Sequence, residues 1–450
     1  ERTYRPEPGI GNVVGYLGFP SETNSGSANF NPRELVGQAG AERVFNEILR
    51  GQTGIRIEEV NVNNEVQSEY LLRPPRAGES ITLSIDTRLQ EKLYDIIKSL
   101  AEERGFGGGA VVLLDIKTGE LLSLVSYPQY DPNIITRGTD RETINKLLTD
   151  PNKPFLDRAV SGLYAPGSII KPIIAIGALN EKIIDPETQI LSTGALTLPN
   201  PFFPDQPSIF PDWKAHGLVN LRRALAVSSN VYFYELGGGF ENQRGLGIIN
   251  IDKYARLFGL GSPTGINWPQ EEAGNIPTPD WKAKNFPGDP AWRIGDTYHT
   301  AIGQYGFQVT ALQMARVAGA IATNGVLVTP TILTASTTPI HQPARDISSI
   351  ISPNFFQIVR EGMRLAVTEG TAQKLNTATV AIAAKTGTAE LGVTKADVNS
   401  WVIGFYPYEA PRYSFAVVME RVPRGDTVRA ALVIRELIDW LASNAPEYLL

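Results

Sequence analysis

Apolar positions change their period three times along this chain. In the first 75 residues only "AERVFNEILRG" has helical spacing, closing at Gly51. "LLRPPRAGES" then reads as a linker or extended crossing segment, because its Pro pair and Gly punctuate the pattern, and it divides the chain into residues 1–76 and 77–450. Beyond it, "IDTRLQEKLYDIIKSLAEERG" puts Leu89, Leu93, Ile96, Ile97 and Leu100 at helical spacing, with Asp86 or Thr87 as N-cap and Gly105 as stop. "GGAVVLLDIKTGELLSLVSYP" predicts two strands apolar on both faces, joined at a short turn. From about residue 160 to 375 the period is helical, clearest in "SIIKPIIAIGAL", "NLRRALAVSSNVYFYEL", "TALQMARVAGAIATNG" and "PNFFQIVREGMRLAV". Strand character returns in "ATVAIAAKTGTAEL", "NSWVIGFYPY" and "YSFAVVME", before a closing amphipathic helix in "VRAALVIRELIDWLAS". Strands at both ends with helices between them predict an α+β fold: one antiparallel sheet built from distant segments, flanked by helices and carrying a large helical insert.

Composition narrows the chemistry more than the fold. At 450 residues the chain exceeds one ordinary core, so two domains are expected. A formal net charge of −6 supplies no basic face for nucleic acid. Cysteine is absent, so thiolate nucleophiles, disulfides and Cys-based metal sites drop out. The three histidines, at 216, 299 and 341, form no His-Glu-x-x-His pair. No apolar run reaches the roughly 18 to 20 residues that cross a bilayer, and "ERTYRPEPGI" lacks the apolar core of a signal peptide.

A serine and a lysine three apart on a helix share a face, and "YAPGSIIKP" provides such a pair in Ser168 and Lys171. No other lysine in the chain has a serine three residues before it. Taken alone, the pair reads as an N-cap serine and a solvated lysine. Its setting argues otherwise: Lys171 lies in a helix apolar nearly all round, and a buried lysine with a lowered pKa can serve as a general base. "AVSSNVYFYELG" places Ser228, Ser229 and Asn230 at a break between apolar helical segments. Ser-x-Asn also occurs at Ser27 and Ser352, where a polar loop and a helix start explain it. Lys-Thr-Gly occurs twice. The copy at 117–119 is ordinary turn chemistry between Asp115 and Glu120, whereas Lys385, Thr386, Gly387 and Thr388 end a strand and offer a charge, two hydroxyl donors and an accessible backbone to an anionic peptide end.

In this order, Ser168-x-x-Lys171, Ser228-x-Asn230 and Lys385-Thr386-Gly387 resemble the three-motif signature of penicillin-binding proteins and serine β-lactamases. "LLRPPRAGESITLSIDTRLQ" looks like the entry to a transpeptidase domain, and "IGQYGFQVTALQMARVAGAIATNGVLVTP" like the segment before the third motif. "GNIPTPDWKAKNF" and "GDTYHTAIGQ" are similar to the elongation-type class B enzymes, the penicillin-binding protein 2 group, and "LVGQAGAERVFNEILRGQTG" to part of that group's N-terminal pedestal.

The resemblance implies the penicillin-binding transpeptidase fold over residues 77–450 and a partial pedestal over 1–76. It implies a D,D-transpeptidase in which Ser168 attacks the penultimate D-alanine of a peptidoglycan stem peptide and Lys171 accepts its proton. Ser228 relays a proton to the leaving D-alanine, Asn230 holds the substrate amide, and Lys385, Thr386 and Thr388 bind the terminal carboxylate. Backbone N–H groups of Ser168 and Thr388 form the oxyanion hole, and β-lactams acylate the same serine. No cofactor is expected. Some members carry zinc beside the second motif; Asp212 and His216 look like part of that site, but Ser229 stands where a cysteine would fall, so no zinc is expected. The implied partners are a rod-shape-family glycosyltransferase and elongation-complex proteins. The implied location is the extracytoplasmic face of the bacterial cytoplasmic membrane, with the anchor outside this sequence. Rival readings are a carboxypeptidase or β-lactamase-like hydrolase, disfavoured by the missing Glu-x-x-Leu-Asn pattern, and a non-catalytic β-lactam sensor. No Gly-x-Ser-x-Gly elbow supports an α/β-hydrolase.

Overall fold

The computed structural model describes residues 2–5, 7–20, 35–200, 203, 205–334, 344–392, 396–425 and 429–450. The polar loop expected around Ser27 and Asn29 lies outside these residues. Elements that position the site are, in chain order, β1 (Ile55–Val60), β2 (Val66–Arg73), α1 (Thr87–Arg104), β3 (Gly108–Asp115), β4 (Leu121–Tyr127), α2 (Lys171–Asn180), α3 (Leu221–Val227), α4 (Asn230–Gly238), α5 (Ala311–Ala322), α6 (Pro353–Thr368), β5 (Ala383–Leu391), β6 (Asp397–Tyr406), β7 (Tyr413–Pro423) and α7 (Arg429–Asn444).

Five strands form one antiparallel sheet in the order β5-β6-β7-β3-β4. The last three strands of the chain therefore complete a sheet begun by the hairpin β3–β4, the arrangement expected from the separated apolar runs. Register places Lys385 opposite Ile403, Thr386 opposite Val402 and Gly387 opposite Trp401. Side chains alternate between faces, and two cores result. Trp401, Ile403 and Val418 join α2, α5 and the helical insert on one face. Val402, Val417 and Met419 pack with Leu93 and Ile97 of α1 and Val433 and Leu437 of α7 on the other. Every residue of β3 is buried, which accounts for its unbroken apolar run.

Local chemistry sets the ends of these elements. Asp86 caps α1 by accepting from Arg88 N–H, and Gly105 closes it in a left-handed conformation. Thr310 and Gln313 form a reciprocal capping box at the start of α5. The first Lys-Thr-Gly is a hairpin turn: Asp115 Oδ1 accepts from Lys117 N–H at 2.8 Å and from Thr118 N–H at 3.3 Å. The N-terminal segment is tied to the rest of the chain through Asn133, which brackets the Tyr4 backbone, and Gln90, which donates to Gly9 C=O at 2.7 Å.

Two local expectations differ from the structure. The helix expected over 41–51 is split into Gly40–Val44 and Asn46–Leu49, because the Asn46 side chain is spent on Gly37 N–H at 2.9 Å and draws the chain aside at Phe45. Part of the extended crossing segment is strand β2, paired with β1 in a hairpin that is exposed on both faces.

Candidate active site

Ser168 lies in a single 3₁₀ turn, Gly167–Ile170, that runs straight into α2. Lys171 N–H donates to Ser168 C=O, the i→i+3 bond of that turn, and residues three apart in a 3₁₀ helix eclipse one another. The 3₁₀ turn stands where an α-helical start was expected. Ser168 is half-buried, while Lys171 is fully buried, as are Ile169, Ile170, Ile173 and Ile174 around it.

The helix break at the second motif is built by two different residues. Ser228 ends α3 in a left-handed conformation, φ 59°, unusual for a residue with a Cβ and costing about 1–2 kcal/mol. Ser229 then caps α4, its hydroxyl accepting from Tyr232 N–H. The result points Ser228 and Asn230 back toward α2. Lys171 Nζ donates to Ser228 C=O at 2.8 Å, Asn230 Oδ1 at 2.7 Å and Ser229 C=O at 3.2 Å, with Ser228 Oγ at 3.4 Å. From the sheet, Lys385 Nζ donates to Ser228 Oγ at 2.8 Å and to Thr386 C=O at 2.8 Å. The three motifs thus meet at one hydroxyl, that of Ser228.

Two lysines aimed at one hydroxyl inside protein cannot both keep ordinary pKa values. Burial lowers that of Lys171 to about 7, with the Asp212 carboxylate pulling the other way. Burial, and then the neighbouring Lys171 charge, holds Lys385 well below the usual lysine range. At neutral pH a substantial fraction of Lys171 is an amine able to take a proton.

Strand β5 closes against the turn of Ser168. A Cβ on Gly387 would lie 2.8 Å from Ile169 Cγ2 and 3.0 Å from Pro166 O, and one on Gly167, whose φ is +54°, would lie 2.5 Å from Thr388 O. What comes close to Gly387 is therefore the turn that carries Ser168, and this apposition sets Thr388 beside that turn. Trp401, opposite Gly387, anchors the same turn by donating to Ala165 C=O at 3.1 Å. Thr386 and Thr388 are half-buried, and Thr386 Oγ1 is 2.6 Å from Thr371 Oγ1.

Asp212 has a role the sequence did not disclose. Its Oδ2 accepts from Ser229 Oγ at 2.8 Å, Asn230 N–H at 2.8 Å, Val231 N–H at 3.1 Å and Ser192 Oγ at 3.2 Å, so it caps α4. Burial alone would raise its pKa, yet these bonds and the Lys171 charge hold it below the usual range. His216 Nε2 is 3.6 Å from the other oxygen. This donor set does not fit zinc: the residue in the cysteine position is a hydroxyl donor to Asp212, and the carboxylate oxygen it faces is already saturated. Asp212→Asn should move the acid limb of the serine's acylation rate to lower pH, because the carboxylate it removes raises the Lys171 pKa. A pH–rate profile with any active-serine acylating agent checks this.

Fold and site together are those of a serine acyl-transfer protein. A family model described as penicillin binding protein transpeptidase domain matches residues 109–439, and one described as penicillin-binding protein dimerisation domain matches residues 1–83. The chain belongs to the penicillin-binding protein transpeptidase family. Within that family it is of the class B elongation type, the penicillin-binding protein 2 group. It is 31% identical to peptidoglycan D,D-transpeptidase MrdA of Haemophilus influenzae over 461 residues, covering 96% of this chain and 68% of the relative. For MrdA of Escherichia coli K12 the figures are 31% over 472 residues, 98% and 71%. Among solved structures, the complex between penicillin-binding protein PBP2 and MreC from Helicobacter pylori superposes with a TM-score of 0.83 at 30% identity, covering 98% of this chain and 79% of that one. Pseudomonas aeruginosa PBP2 in complex with WCK 5153 gives 0.79 at 28% identity, covering 98% and 91%. A peptidoglycan synthase complex described as coordinating polymerization and crosslinking gives 0.82 at 29%, covering 98% and 76%.

Proposed function

We propose that this chain is a D,D-transpeptidase that crosslinks peptidoglycan stem peptides through an acyl-enzyme on Ser168 and is inhibited by β-lactams. The observation that carries the reading is the convergence on Ser228 Oγ of Lys385 and of Lys171, which lies three residues after Ser168. Ser168 Oγ attacks the carbonyl carbon of the penultimate D-alanine while the Lys171 amine takes the hydroxyl proton. The oxygen that becomes negative is received by the backbone N–H groups of Ser168 and Thr388. Ser228 passes a proton to the nitrogen of the terminal D-alanine, the C–N bond breaks, and the ester remains. Asn230 holds the substrate amide. Lys385, Thr386 and Thr388 take the terminal carboxylate, with Gly387 keeping strand and turn in contact; the arriving anion supplies the counter-charge that burial denies Lys385. An amine of a neighbouring stem then attacks the ester and regenerates Ser168. A β-lactam follows the first half, but its nitrogen stays tethered after the amide opens.

No cofactor enters this scheme. The cut at residue 76 assigns the exposed β1–β2 hairpin to a pedestal and residues 77–450 to catalysis. Among the described residues no helix is long and apolar enough to cross a membrane. We place the protein at the extracytoplasmic face of the bacterial cytoplasmic membrane, where the stem peptides are, beside a rod-shape-family glycosyltransferase and other elongation-complex proteins. The likeness to a peptidoglycan synthase complex and to a PBP2–MreC complex supports that placement.

The test supplies a stem-peptide thioester as acyl donor and a D-amino acid as acceptor. Products in which the acceptor amine has replaced the leaving group, increasing with acceptor concentration, are expected. Hydrolysis independent of acceptor would make the chain a carboxypeptidase, and a single stoichiometric acylation without turnover would make it a sensor.

A further inference from the structure

Thr371 lies in none of the three motifs, yet it touches the third and the helix end that leads into the second. It follows α6 at the turn leading toward β5, and its hydroxyl is 2.6 Å from that of Thr386, either oxygen being able to donate. Its backbone N–H donates at 3.0 Å to the carbonyl of Ala226, two residues before Ser228. Lys385, beside Thr386, donates to Ser228 Oγ at 2.8 Å. A closed circuit therefore runs from the second motif through Thr371 to the third and back.

We propose that Thr371 is a positioning residue that sets the direction of the Thr386 hydroxyl proton for a carboxylate ligand. A hydroxyl has one proton to give, and a carboxylate only accepts. In the empty site the proton between the two threonines can run either way. Once a carboxylate takes the Thr386 proton, Thr371 must be the donor to Thr386 Oγ1, which it can be without moving. Thr371 then holds the Thr386 rotor and polarises its O–H toward the anion. This rests on Thr386 binding the carboxylate, as proposed above.

The experiment follows acylation by a fluorescent penicillin and by its methyl ester, separating the half-saturating concentration from the limiting rate. Thr371→Val keeps the shape and removes the hydroxyl. It should raise the half-saturating concentration of the acid about five- to tenfold, the size of one hydrogen bond. The limiting rate and both constants for the ester should stay within about twofold. Thr371→Ser should behave as wild type. Thr386→Val should narrow the preference for acid over ester, Lys385 and Thr388 keeping the rest, and Thr371→Val added to it should narrow it no further. Equal weakening of acid and ester, a fall in limiting rate for both, or no rescue by serine would reduce Thr371 to a structural brace and overturn the proposal. If Thr386→Val leaves the acid preference at its wild-type size, it is the carboxylate assignment of Thr386 that falls, and the role of Thr371 with it. If Thr386→Val narrows that preference while Thr371→Val leaves it at wild-type size, the Thr371 proposal alone fails.

Discussion

Lys171→Met should lower the rate of Ser168 acylation by about a thousandfold, within the range that removal of a general base costs. The side chain is fully buried, its stem beside Ile170 and Ile174 and the Phe233 ring 5.4 Å from its Nζ, so methionine matches the stem and gives up the Nζ bonds to Ser228 C=O and Asn230 Oδ1. A thermal melt that stays cooperative separates lost chemistry from lost fold. In the unsubstituted protein the same residue sets the pH dependence. Its folded pKa is lowered to about 7, so the protonated, inactive form dominates below that value and the amine above it. The acylation rate should therefore climb with pH to a half-maximum near 7, and the variant's residual rate should lack that limb. A profile that instead rose only toward the ordinary lysine range would contradict the account, because it would mean that burial does not discharge Lys171.

Burial of Lys171 gives this dependence its physical origin. Lys171 and Lys385 come from an insert helix and a sheet edge, and both reach Ser228 Oγ. Burying an ammonium group is costly, and burial lowers the pKa of both lysines, with the Lys171 charge lowering that of Lys385 further. The left-handed conformation of Ser228 belongs to the same arrangement: it ends α3 abruptly enough that the hydroxyl, its carbonyl and Asn230 all face the lysines.

Much of this was written into local pattern. The buried hairpin β3–β4 and the middles of β6 and β7 are nearly continuous apolar runs, because helices cover both faces of the sheet. Lys171 was legible as buried because its helix has no polar face for it to occupy. The break at Ser228 could be read from a polar trio between apolar segments. The roles with no local pattern are those exerted at a distance or on a surface. Asp212 caps a helix that starts 18 residues later, and Thr371 meets Thr386 across 15 residues, so neither has a local signature. The β1–β2 hairpin is exposed on both faces, so no core imprints a two-residue period on it. At the third motif, the glycine was read as room for a ligand, whereas Ile169 and Pro166 occupy that approach. Only the packing of β5 on the Ser168 turn discloses this.

The central claim is that Ser168 carries the acyl group, and the most direct measurement is intact-mass and peptide-level mass spectrometry after incubation with a labelled penicillin. Wild-type protein should gain one penicillin mass, located on the peptide that contains Ser168, and Ser168→Ala should gain none while still melting cooperatively. An adduct that persists in Ser168→Ala, or that maps to another peptide, would contradict the account.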